Sequence, residues 1–287
     1  MTWFTFSLIS IFFLAAAELT QQHLLNKSKA IPERSSVSLT FLVQSIFTLP
    51  IIFLSDLKTQ FFDIFSLDIF PRLILVTVIG TLGIVYYLRS FKVKNISIST
   101  IFISLSVVVS TTLGIIFFNE SSNLAKFLGI GLILIAIVSL NIKNLTLEKN
   151  HFFALIGGLL FGVTYPLDKS IVTTIHPIVY IFWTFTLVSI FGFLQKPKEL
   201  IQTIKDSNLN TYKPILFSGF GYFVYNFATF TSYSIGGEVG RIDAINNSQV
   251  FLIILFEYFI LRHRGGLVRK LITAAIAFGG VIILGFL

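Results

Sequence analysis

The 287-residue sequence has no cysteine and four histidines, and charged residues make up 12% of it. Without thiols there can be no disulfide framework, no thiolate nucleophile and no thiolate metal site, and the scattered imidazoles form no ligand pattern. The chain also lacks a phosphate-cradling glycine loop, a His-Glu metal helix and a nucleophile elbow, so neither ATP hydrolysis nor hydrolase chemistry is supported. No enzyme and no cofactor is implied. Long polar stretches are missing too, and the connections between apolar runs are too short to fold a core of their own.

What remains is apolar. Hydrophobic residues make up 55% of the chain and the mean hydropathy is +0.88, values that suit helices solvated by lipid and not a soluble domain of this size. The net charge of +8 lies in short connections, where cations set orientation across a membrane, so nucleic acid is not expected as a partner. Crossing the hydrocarbon core takes about 20 residues. On that basis ten runs qualify: 2–25, 36–54, 70–88, 97–118, 124–140, 151–173, 177–194, 212–234, 242–261 and 267–287. The fold class expected is all-α, a polytopic protein of the cytoplasmic membrane. Ala15-Ala16-Ala17 resembles a small-residue cleavage site, but no Lys or Arg precedes it, which favours a retained first helix.

The runs divide into two groups of five. Laying residue 7 on residue 154 sets Ala15 on Gly162, Glu18 on Tyr165, and Gln21 and Gln22 on Asp168 and Lys169. Each half thus has a small residue followed three, six and seven positions later by larger or polar groups on one helix face. A second alignment pairs Asn119 and Glu120 with Arg262 and His263, and Lys126 with Arg269. Five being odd, the second half must enter from the opposite side, so 1–145 and 146–287 are expected to form inverted repeats. A monomer would then suffice, and a dimer is compatible. Sixteen Lys and Arg residues fall on connections after the odd-numbered runs and five on the other side. The rule that basic loops stay inside puts both termini outside the cell.

Glu18 is the only charged side chain in the first run, and a carboxylate at that depth costs about 3 kcal/mol on insertion scales. Such a group can exchange a proton and, when deprotonated, hold a cationic substrate; the alternative is a structural carboxylate, neutral or paired with Lys169. Asp168 and Lys169 are either a snorkelling pair at the interface or a buried functional one. Pro166, beside Tyr165, removes a helix hydrogen bond and leaves a carbonyl free. Tyr222, Tyr225, Asn226 and Thr229 share one helix face, and Asp243, Asn246, Asn247 and Gln249 crowd the start of the ninth run; amides avoid lipid and should point inward. Tyr86, Tyr87 and Trp183 belong either to an interfacial belt or to a ligand surface. Gly158–Gly162, Ala125–Gly129 and Ala275–Gly279 have the spacing of close helix contacts.

Two halves of five spans resemble the drug/metabolite transporter superfamily, specifically its EamA-type members, over essentially the whole chain. The local matches are Leu113–Asn141, where Glu120 precedes a helix with Gly129 and Gly131, and Arg262–Leu287. The first helix, with Ala17-Glu18, Thr20-Gln21-Gln22 and Leu24-Leu25-Asn26-Lys27, is similar to that of small multidrug resistance proteins. In those proteins the helix 1 glutamate binds proton and substrate, and the resemblance carries that role to Glu18 alone, because Tyr165 stands at the matching position of the second half. It also implies cytoplasmic termini, against the charge count. The expected function is secondary transport of a small metabolite or amphipathic drug-like compound by alternating access, with the proton as coupling ion and membrane lipid as surroundings. The site residues expected are Glu18, Gln21, Gln22, Tyr86, Tyr165, Asp168, Lys169, Trp183, Tyr222, Tyr225, Asn226 and Asn247. A flippase for a lipid-linked metabolite, or a non-transporting membrane enzyme or assembly protein, are the alternatives; an interior without one polar cavity joining Glu18, Tyr165 and Asn226 would favour the last.

Overall fold

The computed structural model describes residues 2–26, 31–90, 102–141, 151–253 and 267–286, and among these there is no β-strand. Five long helices are α1 (Trp3–Asn26), α2 (Glu33–Leu54), α3 (Phe70–Ser90), α6 (His151–Val172) and α7 (Pro177–Gln195). Between them lie α4 (Ser106–Phe118) and α5 (Leu124–Asn141). After them come α8 (Pro197–Asp206), α9 (Leu209–Ser234), α10 (Val239–Asn247) and α11 (Leu267–Phe286).

The five long helices have the length and apolarity to cross a membrane, and 106–118, 124–139 and 272–286 are shorter apolar helices. α9 has the length, but its serines, threonines, tyrosines and asparagines dilute it. The runs 97–118 and 242–261 lie partly outside the described residues, as does the Arg262–His263 alignment. Phe12, Phe53, Leu75, Phe117, Ile135, Phe217 and Phe278 stand exposed around the bundle. Water would not tolerate such a belt, and lipid requires it: this is an integral membrane protein.

The pairs α1–α9, α2–α7 and α3–α6 run antiparallel, with polar contacts at their ends, whereas α4 lies parallel to α6. Ser232 donates to the carbonyl of Trp3 at 2.9 Å, Arg34 to Gln195 at 2.8 Å, Arg72 to the carbonyl of Ser170 at 3.0 Å and Arg241 to that of Leu284 at 3.0 Å. The principal packings are α1 on α9, α2 on α7, α3 on α6 and α5 on α11, joined by α4 on α6, α1 on α10 and α4 on α10. Each of these pairs crosses from the first half of the chain to the second, so the core is shared between halves.

Glycine sets the closest approaches. A methyl group at Gly158 would meet the carbonyls of Phe102 and Ile103, and one at Gly162 would meet Val109, which brings α6 against α4. On α11 the close contact is made by Gly280, against Gly129 of α5, while Gly279 has nothing within 4 Å. The expected Ala275–Gly279 contact is therefore shifted by one residue, about 100° around the helix.

Two connections have structure that the apolar runs do not announce. Residues Asp56–Gln60 and Asp63–Phe65 form short 3-10 turns whose Phe61, Phe62 and Phe65 gather around Trp183. At the other end α8 has no buried residue; Ile201 and Ile204 lie exposed, with Lys198, Gln202 and Lys205 on the remaining surface. An amphipathic helix so placed suits the headgroup boundary.

Candidate functional site

A cavity of about 120 Å³ lies at the centre, lined by α1, α2, α3, α4, α6, α7, α9, α10 and the turn after α10. Its polar groups are delivered by helix periodicity. On α3, Gly80, Ile84 and Tyr87 line it; on α9, Tyr222, Tyr225, Asn226 and Thr229 do so, each set being one helix face. Glu18 enters from α1, Tyr165 and Asp168 from α6, and Asp243, Asn246 and Asn247 from α10. The last group is possible because α10 breaks after Asn247 and turns at Ser248, which also brings Gln249 to the wall.

Three buried carboxylates meet in this space, and neutral groups hold each of them. Tyr87 donates its hydroxyl to Glu18 at 2.8 Å, and Gln249 is a second hydrogen-bond partner of Glu18. Tyr180, fully enclosed, donates to Asp168. Asp243 accepts from Ser110 at 2.8 Å, Ser106 at 3.1 Å and Asn247 at 2.8 Å. Among the described residues no cation forms an ion pair with any of the three. The amides link helices around them: Ser10 donates to Asn246 at 2.6 Å, Asn246 to Thr229 at 3.4 Å, and Asn226 to Gln44 at 3.3 Å.

Of the residues expected from the sequence, Glu18, Tyr165, Asp168, Tyr222, Tyr225, Asn226 and Asn247 line the cavity together. The other five lie elsewhere. Gln21 knots α1, α2 and α9, donating to Thr40 at 2.6 Å and Ser218 at 3.0 Å and accepting from Ser36 at 2.7 Å. Gln22 is half-buried beyond the lining. Tyr86 stacks on Phe153, with ring centres 5.8 Å apart. Trp183 donates its indole N–H to the carbonyl of Phe61 at 2.8 Å and anchors the connection between α2 and α3. Lys169 does not pair with Glu18; its Nζ lies 2.8 Å from Glu120 Oε1. Adjacent residues on a helix diverge by about 100°, so Asp168 and Lys169 serve different neighbours.

Glu120 and Lys169 belong to a charge network at the end of the bundle that holds both termini. Glu120 accepts from Lys169, from Lys126 at 3.2 Å and from the amide of Val239 at 2.7 Å. Lys126 also lies 3.0 Å from Glu238, which accepts from Arg241 at 2.9 Å and from the Ser121 hydroxyl at 3.0 Å. Burial pushes the Glu238 carboxyl up, but Ser121 and Lys126 more than offset that and hold it below its ordinary value. Asn119, in the left-handed region at φ 51°, turns the chain so that Glu120 folds back over Gly114, where a side chain would collide with its carboxylate.

Tyr87, Asp243 and Gln249 were legible as candidates facing inward or toward a ligand without being assigned to the site, whereas Tyr180 and this network were not foreseen. For Tyr87 a signal exists, since it continues the Gly80 face of α3 and Tyr86 does not. For Glu120 and Lys169, 49 residues apart, the pairing depends on how α6 packs on α4.

A solved structure described only as "Crystal structure of protein" superposes with a TM-score of 0.76 over 98% of this chain and 95% of that one, at 12% identity. That likeness concerns the fold alone. No curated protein matches. A model of the EamA-like transporter family matches residues 1–142 and again 149–286, nearly the full length in two repeats, and the chain belongs to the EamA-like transporter family.

Proposed function

We propose that this protein is a secondary active transporter that moves a small metabolite or amphipathic compound through the central cavity by alternating access, with protons exchanged at its carboxylates. The observation that carries the reading is the convergence of Glu18, Asp168 and Asp243, held by neutral donors, in one cavity built from both halves. Ionisable groups kept inside a membrane bundle mark substrate or proton pathways. Glu18, Tyr165 and Asn226 line the same space, which supports transport over a purely structural or enzymatic role.

The reading extends to topology. Ten spans in two inverted halves, meeting near residue 145, are supported by the packing: exchanging α1 with α6, α2 with α7, α3 with α9, α4 with α10 and α5 with α11 turns the set of principal contacts into itself. Rocking of one half on the other around a fixed site follows from such a design. The end with both termini faces outward by the basic-residue count. Glu18→Gln keeps the size of the side chain and the Tyr87 contact but cannot release a proton. In proteoliposomes it should fold normally and lose proton-dependent uptake; uptake that still follows an imposed pH gradient as in the wild type would refute the reading.

A further inference from the structure

Among the described residues the lining carries three carboxylates and no Lys, Arg or His. The buried ammonium groups of Lys126 and Lys169 are engaged by Glu120. What this wall lacks is therefore positive charge. A second observation points the same way. Gln249 Oε1 is buried, lines the cavity and has no hydrogen-bond partner among the described residues. A buried acceptor left unmatched costs about 1–3 kcal/mol, and a donor from a ligand would remove that cost. The rings of Tyr165, Tyr222 and Tyr225 add π faces, on which a cation is held more strongly once desolvated.

These features separate substrate classes. A zwitterionic amino acid would bring a carboxylate to a wall with three carboxylates and, among the described residues, no cation to receive it, leaving only neutral hydroxyls and amides against its charge. A neutral nucleoside would leave the acids uncompensated. An ammonium satisfies an ionised carboxylate, the Gln249 oxygen and an aromatic face at once. We propose that the cavity takes an organic cation with a protonated amine and no anionic group, held by Glu18, Asp168, Asp243 and the Gln249 carbonyl.

The inference rests on the transport reading, and equilibrium binding tests it apart from transport. Purified protein would be titrated with 2-phenylethylamine and with 1,4-diaminobutane. Phenylalanine and 2-phenylethanol would serve as partners of the first that add a carboxylate or lack the charge. At least one amine should bind saturably, and phenylalanine and the alcohol should bind about tenfold more weakly or less. Asp243→Asn and Gln249→Leu should each weaken the amine, with thermal melts showing which variants remain folded; if Asp243→Asn does not fold, Gln249→Leu and Glu18→Gln decide. Phenylalanine or the alcohol binding as tightly as the amine, no saturable binding of either amine, or folded variants with unchanged amine affinity would each overturn it. Amine binding without uptake would sink the transport reading and leave the cation site standing; uptake of phenylalanine with no amine binding would do the reverse.

Discussion

Replacing Glu120 by Gln removes one charge from the centre of the terminus-end network and changes almost nothing else. Glu120 is almost fully buried and accepts from Lys169, Lys126 and the Val239 amide. Lys126 keeps Glu238 at 3.0 Å when the charge goes. Lys169 keeps the face of Phe118, its Nζ 5.0 Å from the ring centre. A buried ammonium so abandoned costs about 3–5 kcal/mol, and the lower end applies because half of the network survives. At roughly 2 °C per kcal/mol for a chain of this size, the melting temperature should fall by about 6 °C. Differential scanning fluorimetry of the purified protein in detergent reads this directly. Glu199→Gln is the control: it breaks the exposed Lys196–Glu199 pair at 3.1 Å, worth at most about 1 kcal/mol. Adding Lys169→Met to Glu120→Gln should recover part of the loss by removing the stranded charge. A Glu120→Gln melt within about 2 °C of the wild type, or a double variant worse than the sum of its parts, would refute the reasoning.

Gly162→Leu drives a side chain into Val109 where α6 meets α4 and should lower the yield of folded protein or destabilise it by about 1–3 kcal/mol, whereas Gly279→Leu, with open space around it, should melt as the wild type does; size-exclusion profiles and melts of the two variants check this. Glu238 has a carboxyl held below its ordinary value by Ser121 and Lys126, so its contribution to stability is complete above the unfolded-state value and is lost as pH falls through the folded one. The wild type and Glu238→Gln should therefore differ most in melting temperature near neutrality and converge below about pH 4; a difference that grows on acidification would contradict the sign.

Much of the bundle was written in the apolar runs. The ends of α1, α3 and α7 fall within two residues of the expected segments, because a polar or helix-stopping residue closes each run. The α9 face was legible as well, since amides and hydroxyls at 222, 225, 226 and 229 have nowhere to point in lipid. Less was legible where partners are distant. Gln21 and Glu18 are three residues apart on α1, yet Gln21 ties α2 and α9 together while Glu18 reaches the cavity, and only the placement of Thr40 and Ser218 decides that. Trp183 is as aromatic as any ligand contact, but the Phe61 turn beside it claims its indole. α8 escaped notice because its apolar residues are few and spaced for a surface.

A cavity wall with acids and, among the described residues, no fixed cation has an electrical consequence. Moving one elementary charge through the membrane potential is worth about 2.3 kcal/mol per 100 mV. If the carboxylates returned empty and ionised, every cycle would drag their charge through part of that field. Exchange of one proton for one monovalent ammonium leaves the sum over the site unchanged, so both halves of the cycle carry the same charge and turnover should be flat in voltage. A divalent amine traded for a single proton would instead move net charge, and its uptake would steepen with potential.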